Sequence, residues 1–238
     1  MESIDKIPGI LEKKEEILRA GDVSPAVIRR LPRYHRSLGD LIRVGKMRIS
    51  SKDLARMMGV TASQIRQDLN CFGGFGQQGY GYNVKYLHGK IGELLGTNEG
   101  YRAVIIGAGN LGRALAATHM FDRRGVTRTA MFDTNQALVG TEIYGIPVYN
   151  VDYLGDFCQK HRIDIAVLTV PKEAAKSVTD VLVAAGIKGI WNFANMELTV
   201  EDENVVVENI HLGDSLMTLC YEVKNRATTR AEGEEEKA

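Results

Sequence analysis

The sequence predicts an α/β protein of two unequal domains, a small helical one followed by a parallel-sheet one, and three observations carry that expectation. From Ala103 onward, short apolar strands alternate with amphipathic helices, which is the pattern of a parallel sheet covered on both faces. Before that point, short capped helices and a glycine-aromatic run fill residues 24–83 instead. Charge divides near residue 98. Residues 22–98 carry 12 Lys and Arg against 5 Asp and Glu, net +7, and residues 99–238 carry 14 against 20, net −6, behind a whole-chain balance of zero. A basic small domain beside an acidic larger one suggests that the first alone meets a polyanion.

The 238 residues, 44% of them hydrophobic, suffice for two packed cores. No run is long and apolar enough for a membrane span, and the stretch from Met1 to Ala20 is charged throughout, so no membrane partner is expected and the cytoplasm is the default location. Cys71, Cys158 and Cys220 are odd in number, scattered and without metal-ligand spacing, which points to reduced thiols and no metal.

In the first domain, residues 1–98 with an N-terminal extension, Ser24-Pro25 is an N-cap with proline at the first helical position. Leu31, Tyr34, Leu38, Leu41 and Ile42 then recur at helical spacing up to Gly45, with Pro32 as a possible kink. Ser50-Ser51-Lys52-Asp53 starts a second helix that Gly59 ends. Thr61 opens a third, with Gln64 three residues on completing a capping box. On that third helix Ile65, Leu69 and Phe72 share one face while Ser63, Gln67 and Asn70 point the other way, flanked by Gln64 and Arg66. Two short helices joined through Gly59-Val60 form a helix-turn-helix. The run Gly73–Tyr82 reads as a small hairpin, or wing, and Asn83 caps a helix bearing Leu87, Ile91, Leu94 and Leu95. The whole is a winged-helix domain. Arg66 suits guanine or phosphate, and Gln64, Gln67 and Asn70 offer amide donors and acceptors to base edges in the major groove of double-stranded DNA.

The second domain, residues 99–212, opens with an apolar strand, Ala103 to Ile106, followed by Gly107-Ala108-Gly109-Asn110-Leu111-Gly112 and a helix. A GxGxxG turn in that context lets the chain turn tightly at Gly107, approach a pyrophosphate at Gly109, and pack helix on strand at Gly112. A second strand, Thr129 to Phe132, ends in Asp133, an acceptor for ribose hydroxyls that repels a 2′-phosphate. The expected ligand is therefore NAD(H) bound by a Rossmann-type sheet. A helix from Tyr153 to His161, a strand at Ile165–Thr169, a helix from Glu173 to Ala185 and a strand at Gly189–Asn192 continue the alternation. Thr169-Val170-Pro171 and Asn192-Phe193 thus fall at strand carboxyl ends over the ligand crevice. His119, His161 and His211 are isolated and no substrate domain is evident, so catalysis is not expected. After a strand at Val205–Val207, the helix of residues 213–226 carries Leu216, Leu219, Cys220 and Val223, with Leu212 just before it, a stripe that could dock on a second subunit. Residues 227–238 read as a disordered acidic tail.

From Ser24 to Asn225 the chain resembles the Rex family of redox-sensing bacterial repressors. The resemblance rests on Arg30-Leu31-Pro32-Arg33-Tyr34, Ser50–Leu54, Val60-Thr61, Gln64–Leu69, Gly79–Val84, the glycine turn, Leu168–Ala175, Ile190–Ala194 and Val207-Glu208-Asn209. It implies a homodimer whose terminal helices are exchanged between subunits, bound to a palindromic operator and released by NADH. It also implies DNA contacts from Ser51 and Gln78 beside those named above. An interdomain link is expected at Arg36 together with two positions where this chain departs from the family pattern: Thr118 stands where Tyr is usual, and His211 where Asp is usual. Gln67 and Gln78 replace common basic residues. These departures imply an altered NADH response. A small NAD-dependent oxidoreductase and a CoA-binding regulator remain as alternative readings of the same motifs.

Overall fold

The computed structural model describes residues 23–70, 72, 76–77 and 81–235, and for 76–77 and 227–235 the backbone only. The chain divides into two compact units, residues 1–98 and 99–238.

In the first unit, helix α1 spans Pro25–Arg43, and the Ser24 side chain accepts the Val27 amide as N-cap. The helix runs through Pro32 without ending there, although proline offers no N–H to the preceding turn. Strand β1, Arg48–Ile49, leads to α2, Ser51–Met58, capped by Ser50 and closed by Gly59 in the left-handed conformation at φ +65°. Helix α3, Ala62–Asn70, follows within three residues. Strands β2, Gly76–Gln77, and β3, Gly81–Asn83, then pair antiparallel, and β3 pairs with β1 to give a sheet of order β1-β3-β2. Asn83 caps α4, Val84–Leu94, by accepting the Tyr86 amide. Leu31, Tyr34 and Leu38 of α1, Leu54 of α2, Ile65 and Leu69 of α3, and Leu87 and Ile91 of α4 close one core. These elements make a winged helix, with a third strand, β1, that the sequence pattern did not show.

The second unit is built on strands β4, Tyr101–Ile106; β5, Val126–Asp133; β6, Glu142–Ile143; β7, Ile146–Asn150; β8, Ile165–Leu168; β9, Gly189–Asn192; and β10, Val206–Asn209. Their order is β10-β9-β8-β4-β5-β7-β6, parallel throughout except that β6 and β7 form an antiparallel hairpin. Numbered from β4 along the chain, the six parallel strands have the doubly wound Rossmann order, and the order reverses between β4 and β8. Helices α5, Asn110–Ala116, α6, Leu154–His161, and α7, Lys172–Ala184, supply the covering layers. Period-two alternation sorts the strands: Val104, Ile106, Phe132 and Leu168 pack with Leu154, Cys158 and Leu182 of α6 and α7, while Ile105, Met131 and Val167 pack with Ala116 of α5.

Helix α8 spans Leu212–Glu235. The sequence reading ended it at Arg226 and made the rest a disordered tail, but the helical backbone continues for another nine residues. Ala227, Arg230, Ala231 and Glu234 are strong helix formers, which suits continuation of the helix. Each residue from Leu212 to Arg226 is exposed.

Candidate functional site

The glycine turn sits where β4 delivers the chain to the point of order reversal. Gly107 has φ +98°, and a Cβ there would lie 2.7 Å from the Thr169 carbonyl oxygen. Position and conformation both demand glycine. Gly112 faces the same strand end from the first turn of α5, where a Cβ would come within 1.9 Å of the Gly107 carbonyl oxygen. Gly109 differs, because a Cβ on it would meet nothing within 4 Å and no side chain caps the helix that begins there. Helix amides without a side-chain cap, beside open space, suit a pyrophosphate. Asn110 is exposed and Leu111 half-buried along that opening.

Asp133 ends β5 next to this turn. One carboxylate oxygen accepts the Ala108 amide at 2.6 Å and the other accepts the Asn135 amide at 2.8 Å. The acid is thereby aimed across the turn, where ribose hydroxyls would meet it.

The remaining expected nucleotide residues act on the frame. The Thr169 hydroxyl lies 2.9 Å from the Ile106 carbonyl and 2.8 Å from the Gly107 carbonyl, stitching β8 to the turn. Val170 packs partly buried on the core behind it, and exposed Pro171 begins α7. Asn192 is fully buried; its amide nitrogen donates to the Met196 carbonyl at 3.0 Å and to Asn209 Oδ1 at 2.7 Å, while its oxygen accepts the Ala194 amide. Its side chain holds the loop after β9 and ties it to β10. Half-buried Phe193 meets Trp191 edge-on at 4.6 Å. Thr169→Val is therefore expected to cost about 1–2 kcal/mol of stability through the lost hydroxyl bonds. By loosening the Gly107 peptide it should also weaken nucleotide binding about tenfold, which thermal unfolding and ligand titration check together.

On α3, Ser63, Arg66, Gln67 and Asn70 are exposed on one side, and Arg66 Nη1 reaches Ser51 Oγ of α2 at 3.4 Å. Thr61 caps the helix as expected, its hydroxyl accepting the Gln64 amide at 3.1 Å. The Gln64 side chain does not complete the capping box. Its Nε2 donates instead to Asp68 Oδ1 at 2.7 Å, a charge-assisted bond to the residue four positions on that directs the side chain away from the Thr61 N–H and from the outer face that would meet bases. Gln78 lies outside the described residues.

Asp68 is the residue the sequence reading missed; a carboxylate between Gln67 and Leu69 gave no signal of burial. It is 1% exposed and also accepts Arg30 Nε and Nη2, at 2.6 and 2.7 Å, and the Tyr34 hydroxyl at 2.6 Å. Burial alone would raise its pKa, but the hydrogen bonds from Arg30, Tyr34 and Gln64 outweigh it and hold the carboxyl below the usual carboxylate range. A lowered folded-state value means stability that is present above the unfolded value, about 3.9, and lost as pH falls through the folded one. Asp68→Asn should therefore show a shallower loss of stability below about pH 4 than the parent protein, as denaturant unfolding at stepped pH would show.

Two family models match the chain, a CoA binding domain over residues 98–196 and a "Putative DNA-binding protein N-terminus" over residues 22–70. A redox-sensing transcriptional repressor Rex of Clostridium botulinum strain Hall is 54% identical over 198 residues, covering 83% of this chain and 94% of that protein. The chain belongs to the Rex family. The Rex of the Alaska E43 strain is 52% identical over 202 residues, covering 85% of this chain and 96% of its own. Among solved structures, RSP with β-NAD+ and operator DNA matches at 48% identity and a TM-score of 0.80, covering 89% of this chain and 97% of that one. RSP with β-NADH matches at 46% and 0.80, covering 88% and 98%.

Thr118 and His211, at which an interdomain link was expected, have local partners in this Rex chain. Thr118 donates its hydroxyl to the Leu115 carbonyl at 2.8 Å, and its own carbonyl accepts Arg128. His211 Nε2 lies 2.9 Å from Glu197 Oε2, and the other Glu197 oxygen accepts Asn209 Nδ2 at 3.1 Å. Glu197 thus joins the end of β10 to the start of α8. Arg36 is exposed on α1. Among the described residues no group of three or more His, Cys, Asp or Glu could hold a metal ion, and no helix is long and apolar enough to cross a membrane.

Proposed function

We propose that this Rex protein is a transcriptional repressor that holds a palindromic operator through α3 and releases it when NADH occupies the glycine turn. The observation that carries this reading is the turn itself: a space-free contact at Gly107 and Gly112, an uncapped helix start at Gly109, and Asp133 placed across it to prefer NAD(H) over its 2′-phosphorylated form. RSP, of similar fold over nearly the whole chain, is known with β-NAD+ and operator DNA together and with β-NADH. The nucleotide acts as a regulatory ligand, with differential affinity for two states of the repressor, and no reaction on it is needed. The protein works in the cytoplasm as a homodimer in which the apolar stripe of α8 is covered by the partner.

The test is a titration of a labelled operator complex with NADH and, separately, NAD+. Release by NADH alone supports the reading; equal release by both, or by neither, overturns it. Thr118 and His211 predict that more NADH is needed than for a relative with the usual Tyr and Asp. The match to a CoA binding domain makes CoA the second candidate ligand, and competition between CoA and NADH decides between them.

A further inference from the structure

Helix α3 is anchored from within by one carboxylate. Arg30 and Tyr34 lie four residues apart on α1, Gln64 and Asp68 four apart on α3, so each pair shares a helix face. All three donors converge on Asp68, at distances of 2.6–2.7 Å. Around the helix, Asp68 and Gln64 occupy the flank between the buried Ile65 and Leu69 and the exposed Gln67 and Ser63.

The apolar contacts of Ile65 and Leu69 bring α3 against the core of its unit, but such contacts are non-directional and constrain rotation about the helix axis weakly. Hydrogen bonds constrain it strongly. Side-chain tips stand about 5–6 Å from the axis, so a turn of about 20° moves them about 2 Å, enough to break a bidentate contact with a base.

We propose that Asp68 is the positioning residue for operator discrimination: with Arg30, Tyr34 and Gln64 it sets the rotation of α3, and Gln64 serves this inward anchor and does not read bases. The proposal rests on the DNA-binding reading above. It separates α3 into readers, Ser63, Arg66, Gln67 and Asn70, and holders, Gln64 and Asp68.

The experiment uses the full chain, a palindromic operator selected from a random duplex pool, and random duplex of equal length at one salt concentration. Asp68→Asn keeps the shape but sets an amide donor against the Arg30 fork. It should lower the ratio of operator to random affinity at least tenfold, with random-duplex binding, its salt dependence and NADH binding unchanged. Gln64→Ala should lower the ratio by about threefold, spread evenly over all single-base operator variants, whereas Gln67→Ala should lose discrimination at one base pair per half-site. Tyr34→Phe, which removes one hydroxyl, serves if Asp68→Asn does not fold, and should lower the ratio by about threefold. An unchanged ratio in Asp68→Asn, or in Tyr34→Phe where that variant stands in, overturns the proposal, as does a Gln64→Ala loss confined to one base pair. A parent protein that fails to discriminate overturns the DNA-binding reading and this proposal with it.

Discussion

Gly112→Ala is expected to lower NADH affinity more than a hundredfold, about 3 kcal/mol, and to destabilise the second unit by about 2–3 kcal/mol. The new methyl would sit 1.9 Å from the Gly107 carbonyl oxygen and 2.8 Å from the Thr169 hydroxyl. Neither neighbour can retreat cheaply. The Gly107 amide is bonded to the Phe132 carbonyl at 2.8 Å, and the Gly107 carbonyl is bonded to Thr169, so both belong to the sheet. Helix α5 must lift instead, carrying its first-turn amides away from the phosphates. Gly109→Ala is the informative control, since no atom lies within 4 Å of its Cβ. It should leave unfolding unchanged and weaken only the ligand. Calorimetry and NADH titration of both variants make the comparison, and wild-type affinity in Gly112→Ala would contradict this account of the turn.

The double substitution Leu216→Asp and Leu219→Asp is expected to give a folded monomer whose operator affinity falls by about a hundredfold or more, since joining two half-site readers multiplies affinity by roughly 10²–10⁴. Leu212, Leu216, Leu219 and Val223 lie along one side of α8 and are 58–62% exposed within a single chain. At 24 residues the helix is about 36 Å long, and a helix of that length draws its stability from a covered apolar face. In the homodimer proposed above, a symmetric partner would supply that cover, and two copies of α3 would answer the two halves of a palindrome. Sedimentation velocity and operator titration test it. A dimer that persists in the double variant would show that α8 is not the joint.

The elements most legible in the sequence were those with a residue that can act alone. Ser24, Ser50 and Asn83 cap their helices because a short side-chain oxygen meets the free amide three residues on, whatever the rest of the fold does. The glycine turn was legible for a similar reason: its constraints are steric and local. The hairpin of β6 and β7 was missed because its two-residue strand is too short to alternate, and Tyr144 takes a positive φ of 52° that sequence does not advertise. Thr169 and Asn192 were placed correctly at strand ends, but position does not say which way a polar group bonds. Both turned inward, where burial makes an unpaired amide or hydroxyl costly. Gln64 went the same way for want of any sign that Asp68 was buried beside it.

The division of α3 into an outer and an inner face makes operator preference separable from folding. Ser63, Gln67 and Asn70 are exposed, and the inner bonds of Gln64 and Asp68 do not depend on them. A library randomised at those three positions should yield proteins that melt like the parent yet select different palindromes. Each would keep the same NADH-responsive second unit, making the protein a chassis for redox-controlled switches aimed at new promoters.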